Sequence, residues 1–231
     1  MSRALNGTLQ GAQNGVSHKV NVEIISAPAV ADIPFIGREL RSTTTAENKP
    51  NKIMHSTGRI CGIYVYGTGA DNSFQFSYTD VDRSSYSFVT ISMPSGYTCI
   101  EATICELVGG NIGLILYGTY SGNEKFRSMV VSPTGVTITA QTEILTYATA
   151  TYVLSSPFII KLADNSYFLV YIKKTVSGSV YAFKKLTSSD FSTWVSEADV
   201  SVASLTGNPI YSLSLLQITT GDIWLFFDQV T

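Results

Sequence analysis

Charge is scarce in this chain. Only 14% of its residues are Asp, Glu, Lys or Arg, against roughly a quarter in an average soluble domain. The formal net charge is −2, and no basic run occurs. Counterion-release binding to a phosphate backbone needs clustered cations. The adjacent basic pairs, Lys173-Lys174 and Lys184-Lys185, both sit in strand-like segments, so a nucleic-acid partner is not expected. Cysteine is sparse as well: Cys61, Cys99 and Cys105 are odd in number and lack a CxxC spacing, which argues against a disulfide framework or a zinc site. Each lies in an apolar run and reads as a buried thiol made in a reducing compartment. No stretch approaches the roughly 20 apolar residues of a membrane helix, so membrane insertion is not expected. Met1 to Gln13 is polar and lacks the apolar region of a signal peptide; synthesis in the cytoplasm is the expectation. No P-loop or dinucleotide fingerprint occurs. Asp71, Asp80 and Asp82 fall within residues 68–82 but not in the ligand run of a calcium loop, and neither cofactor nor metal is expected.

What fills the deficit of charge is Ser, Thr, Asn and Gly beside 45% hydrophobic residues. That mixture suits a sizeable core and strands with hydroxyl-rich outer faces. So few charges protect only weakly against sticking to neighbours, which suits a protein held in a large assembly or a harsh extracellular setting.

A repeat organises the chain. Turn and apolar strand recur at Gly58 (Ile60 to Tyr66), Gly110 (Ile112 to Tyr117), Asn165 (Tyr167 to Tyr171) and Gly221 (Ile223 to Phe227), with spacings of 52, 55 and 56. The second unit reads as strands Ala102–Val108, Ile112–Tyr120, Lys125–Ser132 and Val136–Glu143, separated by Gly-, Asn- and Pro-rich turns. The third reads Phe158–Leu162, Tyr167–Lys173, Val180–Leu186 and a strand beginning at Trp194 and Val195. Gly and Asn supply the positive φ of tight hairpins, and the flanking segments alternate with the period of two of half-buried strands. Four antiparallel strands per repeat describe blades of a β-propeller, all-β, whose second strands are apolar because neighbouring blades cover both faces. Three blades are nearly complete (about residues 50–96, 98–147 and 153–200), and half of a fourth runs from Ile210 to Thr231. The apolar strand ending at Phe227 would be an exposed edge. Either an N-terminal strand such as Val20–Ile25 covers it or the polypeptide continues, and the second is the expectation.

Residues 1–49 read as a separate anchor and linker ahead of a propeller at 50–231. Ala4, Leu5, Leu9 and Ala12 have loose helical spacing weakened by Gly7 and Gly11. Val20 to Ile24 alternates as a strand, and Ser42 to Pro50 has linker composition.

The segment Ser188-Ser189-Asp190-Phe191-Ser192-Thr193-Trp194 resembles the Asp-box of sialidase-type propellers, Ser-x-Asp-x-Gly-x-Thr-Trp, though one residue short and with Ser at the Gly place. It also resembles the Ser-x-Asp-φ-x-x-Trp hairpin of five-bladed glycosidase propellers. Ser132 to Ile138 is a more degenerate echo with Ile138 at the Trp place. The resemblance implies a structural turn in which Ser188 and Asp190 cap the backbone and Trp194 fills a blade interface. In layout, a short anchor before a propeller resembles proteins of phage and contractile-injection particles. That resemblance implies a structural and binding component of a tail, baseplate or fibre, carried in many copies in the virion, held to other virion proteins through residues 1–49 and attaching to a cell-surface glycan.

A catalytic constellation is not visible, and the expectation is a non-enzymatic protein. Sialidases need three arginines as a carboxylate clamp; Arg59, Arg83 and Arg127 lie in the blades but in turns or outer strands. Glycosidase propellers need paired carboxylates near the inner strands. Glu101, Glu106, Asp164 and Asp222 are the candidates, the two Asp residues falling in turns where Asp is favoured anyway. His18 and His55 fall in peripheral segments without a triad partner. Tyrosines beside turns are candidates for stacking on sugar rings, foremost Tyr97, Tyr120, Tyr152 and Tyr211. The alternative function is a glycoside hydrolase of sialidase-like or five-bladed type.

Overall fold

The computed structural model describes residues 12–13, 16–24, 51–65, 73–82, 84–177, 181–200, 210–219 and 222–230. Among them the chain forms β-strands and no helix. The strands are β1 (Ala12–Gln13), β2 (Val16–Ile24), β3 (Asn51–Met54), β4 (Ile60–Val65), β5 (Ser73–Thr79), β6 (Tyr86–Ser92), β7 (Tyr97–Glu106) and β8 (Ile112–Tyr120). They continue with β9 (Asn123–Val131), β10 (Thr137–Ala148), β11 (Tyr152–Lys161), β12 (Tyr167–Thr175), β13 (Tyr181–Ser188), β14 (Val195–Val200), β15 (Ile210–Thr219) and β16 (Asp222–Val230).

Four antiparallel sheets of four strands result: β3-β4-β5-β6, β7-β8-β9-β10, β11-β12-β13-β14 and β15-β16-β2-β1. These are blades of a β-propeller. Blade meets blade chiefly along the first strands, β7 against β3 and β4, β11 against β7, and β15 against β11.

The hairpins between the first and second strands of three blades share one turn. In each, the first residue donates its N–H to the carbonyl four residues on, and the fourth donates back to the first: His55 to Arg59 and Gly58 to His55, Leu107 to Asn111 and Gly110 to Leu107, Leu162 to Ser166 and Asn165 to Leu162. The fourth residue has positive φ, 88° at Gly58, 81° at Gly110 and 67° at Asn165, the conformation that Gly and Asn adopt at least cost. Gly58, Gly110 and Asn165, which mark three of the four repeats in the sequence, are therefore the residues that turn the chain.

Among the described residues the core is three interfaces between blades rather than one interior. On β8, Ile112, Leu114 and Leu116 face the first blade while Ile115 and Tyr117 face the third. On β12, Tyr167, Leu169 and Tyr171 pack toward the second blade, and Phe168, Val170 and Ile172 toward the fourth. Successive side chains of a strand point to opposite faces, so a strand covered on both faces must be apolar throughout. Each such side chain contributes about 1.5–3 kcal/mol of transfer free energy on burial. Edge-on ring pairs span the interfaces, Phe126 to Tyr171 at 4.8 Å and Phe183 to Phe227 at 5.1 Å.

The fourth blade departs from expectation. β16 pairs antiparallel with β2, with Phe226 opposite Val22 and Trp224 opposite Ile24. Of the two ways to cover the apolar strand, the structure uses the N-terminal segment, so residues 16–24 are built into the propeller instead of standing apart as an anchor. Of the expected helix over Ser2–Gln13, Ala12–Gln13 is strand β1 paired to β2; the remainder, and the linker from Ser42 to Pro50, lie outside the described residues.

Candidate active site

The first strands of three blades carry a register shift at corresponding places. On β7 the shift lies between Cys99 and Glu101, on β11 between Ser155 and Phe158, and on β15 between Ile210 and Ser212. The extra residues are Ile100, one of Ser156 and Pro157, and Tyr211. Such bulges break the ladder and re-aim a side chain. Pro157 in an otherwise strand-like run is their one sequence signal, because Pro cannot donate to a ladder.

Glu101 stands directly after the first of these bulges. Its Oε2 accepts the backbone N–H of Ser156 at 2.5 Å, across the interface between the second and third blades. Ser156 has φ of 51°, which lifts its amide out of the β11 ladder. Glu101 is only partly covered, and among the described residues its other oxygen has no hydrogen-bond partner. Ile100 beside it is 45% exposed although it lies on an innermost strand. A carboxylate with one oxygen fixed by an amide and one open can accept a proton, orient a water or bind a sugar hydroxyl.

The other candidate carboxylates hold the fold. Glu106, at the end of β7, accepts the N–H of Ser56 at 2.8 Å, and its Oε1 lies 3.5 Å from His55 Nε2. His55 is not peripheral: it is buried, and its imidazole bonds the Gly110 carbonyl at 2.7 Å and the Thr57 hydroxyl at 2.7 Å, tying the first blade to the second. His18 lies on β2 opposite Val230. Asp164 accepts the N–H and hydroxyl of Ser166 within its turn, which holds its carboxyl below the usual carboxylate range. Asp222 is a buried residue at the start of β16. Arg59 donates to the Thr79 carbonyl at 2.7 Å, Arg127 lies on β9, and Arg83 is outside the described residues. No three arginines are brought together among the described residues.

A second polar cluster lies where β10 passes into the third blade. Glu197 on β14 accepts the hydroxyls of Tyr171, at 2.5 Å, and Tyr147, and the ammonium of Lys173 at 3.1 Å. Burial pulls the Glu197 carboxyl upward, but the hydrogen bonds from Tyr147, Tyr171 and Lys173 outweigh it and leave the group below its ordinary value. Burial, then the bond to Glu197, raises both phenols above their usual range, the reverse of an activated tyrosine nucleophile. The Lys173 ammonium also caps the rings of Tyr147 and Tyr152, 3.8 and 4.2 Å from their centroids. Nothing in the local sequence brings these residues together; they come from four strands of two blades.

The remaining sequence candidates divide. In the Asp-box-like turn, Ser188 Oγ accepts the N–H of Phe191 at 2.9 Å, and Asp190 Oδ1 accepts those of Ser192 and Thr193 at 2.8 and 2.7 Å. Those amides, Thr193 first, hold the Asp190 carboxyl well below the usual range. Trp194 packs on Phe191 with ring centroids 5.5 Å apart, against the interface of the second and third blades. Tyr97, expected to meet glycan, is instead fully buried in the first interface, its hydroxyl directed at the carbonyls of Leu116 and Lys125; a residue opening β7 is covered by the neighbouring blade. Tyr120 is half-buried with the Lys125 ammonium 5.3 Å from its ring. Tyr152 has one ring face taken by Lys173. Tyr211 occupies the β15 bulge; its side chain lies outside the described residues.

No protein-family model and no curated protein matches the sequence. Solved structures do match in fold. An α-L-arabinanase of Penicillium chrysogenum superposes with a TM-score of 0.63 at 8% identity, over 78% of this chain and 56% of its own. An endo-arabinase of Bacteroides thetaiotaomicron gives 0.56 at 11% identity, over 83% and 78%. An α-L-arabinofuranosidase of Fusarium graminearum gives 0.54 at 12% identity, over 65% and 47%. This chain spans about half the length of the Penicillium and Fusarium proteins. At such identities the likeness establishes the propeller fold. It overturns two expectations: that of a phage tail or baseplate component, because the matching propellers are glycosidases, and that of a non-enzymatic protein, because they are enzymes. Low charge and hydroxyl-rich strands do not distinguish a particle component from a glycosidase.

Proposed function

We propose that this propeller is a glycoside hydrolase acting on an arabinose-containing oligosaccharide, with Glu101 as a carboxylate of its site. The reading is carried by one observation: Glu101 sits at a bulge on an innermost strand, one oxygen held by the Ser156 amide and the other open. The innermost strands are where a propeller concentrates residues from several blades around one axis, and bulged backbone there frees polar groups for a ligand. Glycosidases work with two carboxylates; Glu101 supplies one, either as the base toward water or as the acid toward the leaving oxygen. The fold likeness to arabinan-cleaving enzymes supports the choice of sugar.

The test is release of reducing ends from linear arabino-oligosaccharides, and of the phenol from an aryl α-L-arabinofuranoside. Turnover that falls about 100-fold or more in Glu101→Gln, in the range for losing an acid or base, supports the assignment. A folded protein with no turnover on either substrate, or turnover unchanged in Glu101→Gln, overturns it.

A further inference from the structure

A cleft with a volume of about 600 Å³ runs between the outer strand of the first blade and β9 and β10 of the second. It shares no residue with the Glu101 site. Its walls combine apolar and polar groups: Ile91, Met93 and Met129 beside the hydroxyls of Thr90, Ser92 and Thr137.

Two polar side chains in the cleft are incompletely satisfied. Arg127 Nε is buried and has no hydrogen-bond partner. Two carboxylates of the same strand pair are committed elsewhere: Glu143, directly opposite Arg127 in the β9–β10 register, is bound by Lys125 at 2.5 Å, and Glu124 accepts the hydroxyl of Tyr117. No carboxylate among the described residues pairs with Arg127, whose guanidinium is instead 5.4 Å from the ring centroid of Tyr97. Gln141 lies in a shifted stretch of the β10 register, between Thr139 and Thr142. Its amide nitrogen donates to the Ser92 carbonyl at 3.2 Å, across the cleft, and its buried Oε1 has no donor.

We infer that this cleft binds a sugar acid, a uronate residue of an oligosaccharide. The carboxylate is the acceptor that a planar, permanently charged guanidinium matches. The ring hydroxyls fall to Thr90, Ser92 and Thr137. The methionine and isoleucine walls meet the C–H face of the ring. A volume of about 600 Å³ accommodates one to three such residues, within the ordinary range for ligand sites. This site is independent of the hydrolase reading: a protein inactive on arabinosides still binds the uronate if the cleft does what its polar groups indicate.

The experiment is titration calorimetry of the whole chain with trigalacturonate, with neutral galactotriose and inorganic phosphate as parallel probes. The expected result is binding of trigalacturonate with a dissociation constant of about 0.1–1 mM and at least tenfold weaker binding of galactotriose and phosphate. Arg127→Met, which keeps the aliphatic stem, is expected to weaken trigalacturonate at least tenfold. Gln141→Glu on the half-exposed outer strand serves if Arg127→Met does not fold; it sets a carboxylate against the uronate and has the same expected effect. Absence of trigalacturonate binding, equal binding of galactotriose or phosphate, or binding unchanged in folded variants overturns the inference.

Discussion

The backbone N–H of Ser156 on β11 donates to Oε2 of Glu101 on β7, 55 residues earlier and one blade away. The bond exists because both strands bulge at matching places, and because Ser156 takes a φ of 51° that costs about 1–2 kcal/mol for a residue with a Cβ. Ser156→Gly removes that strain and keeps the amide. We expect stability within about 1 kcal/mol of the parent, since relief of strain and added unfolded-state entropy oppose each other. Turnover on arabino-oligosaccharides should persist. Urea melts beside a reducing-sugar assay test both, and a Ser156→Gly protein as inactive as Glu101→Gln contradicts the role given to the amide.

The Glu197 cluster predicts an acid limb of stability. Its carboxyl lies below its ordinary value in the folded chain, so the folded state holds the proton less tightly than the unfolded one. The sign follows: stability from Glu197 is present above the unfolded value of about 4.3 and is lost as pH falls through the folded value. Glu197→Gln should cost about 1–3 kcal/mol near neutrality, because Gln offers one acceptor oxygen where Glu197 uses two toward Tyr171, Tyr147 and Lys173, and it removes the charge that Lys173 pairs with. Melts of the parent and the variant should converge only as pH falls through the folded value, on the acid side of the unfolded one.

Burial pushes the Cys61 thiol up to about 11 and the Cys99 thiol to about 12, and raises Cys105 further. The folded chain should therefore leave all three unmodified by a thiol-specific disulfide reagent at about pH 8, where a free thiol is partly ionised. All three should react in guanidinium. A raised folded pKa also means that stability declines as pH climbs above the unfolded value of about 8.5.

Gly113 on β8 leaves no room for a side chain. A Cβ there would come within 2.5 Å of the Phe191 ring and 2.7 Å of Leu107. Gly113→Ala should lose about 1–3 kcal/mol by forcing both apart, measured as a lower urea midpoint with an unchanged slope.

The pairing of β2 with β16 can be broken from the backbone. Val22 and Glu23 lie opposite Phe226 and Leu225, and successive amides of a strand point to opposite sides, so one of the two faces the ladder. Of Val22→Pro and Glu23→Pro, at least one should speed amide exchange across residues 222–230 markedly, since proline removes a ladder donor. Exchange there unchanged in both variants would show that β16 does not depend on β2.

How much of this was legible in the sequence follows from how local each feature is. The blade strands could be read because side-chain alternation and turn chemistry act over a few residues: Gly58, Gly110 and Asn165 mark turns by the φ they permit, and β8 and β12 show by their apolar runs that both faces are covered. The capping of the 188–194 turn by Asp190 is equally local, as every donor lies within three residues. Glu101 was visible only as one carboxylate among four. The sequence does not distinguish it from Glu106, which differs by facing His55 and the Ser56 amide rather than an open bulge.

The sequence by itself determined the blade, because strand period and hairpin turns are short-range properties of side-chain size and backbone φ. Tertiary structure alone decided that β2 closes the fourth sheet, that Glu101 meets the Ser156 amide, and that Lys125 takes Glu143 away from Arg127. Those outcomes depend on register between strands far apart in the chain. Register is set by backbone hydrogen bonds that nearly any residue can make and by packing that only the assembled blades supply.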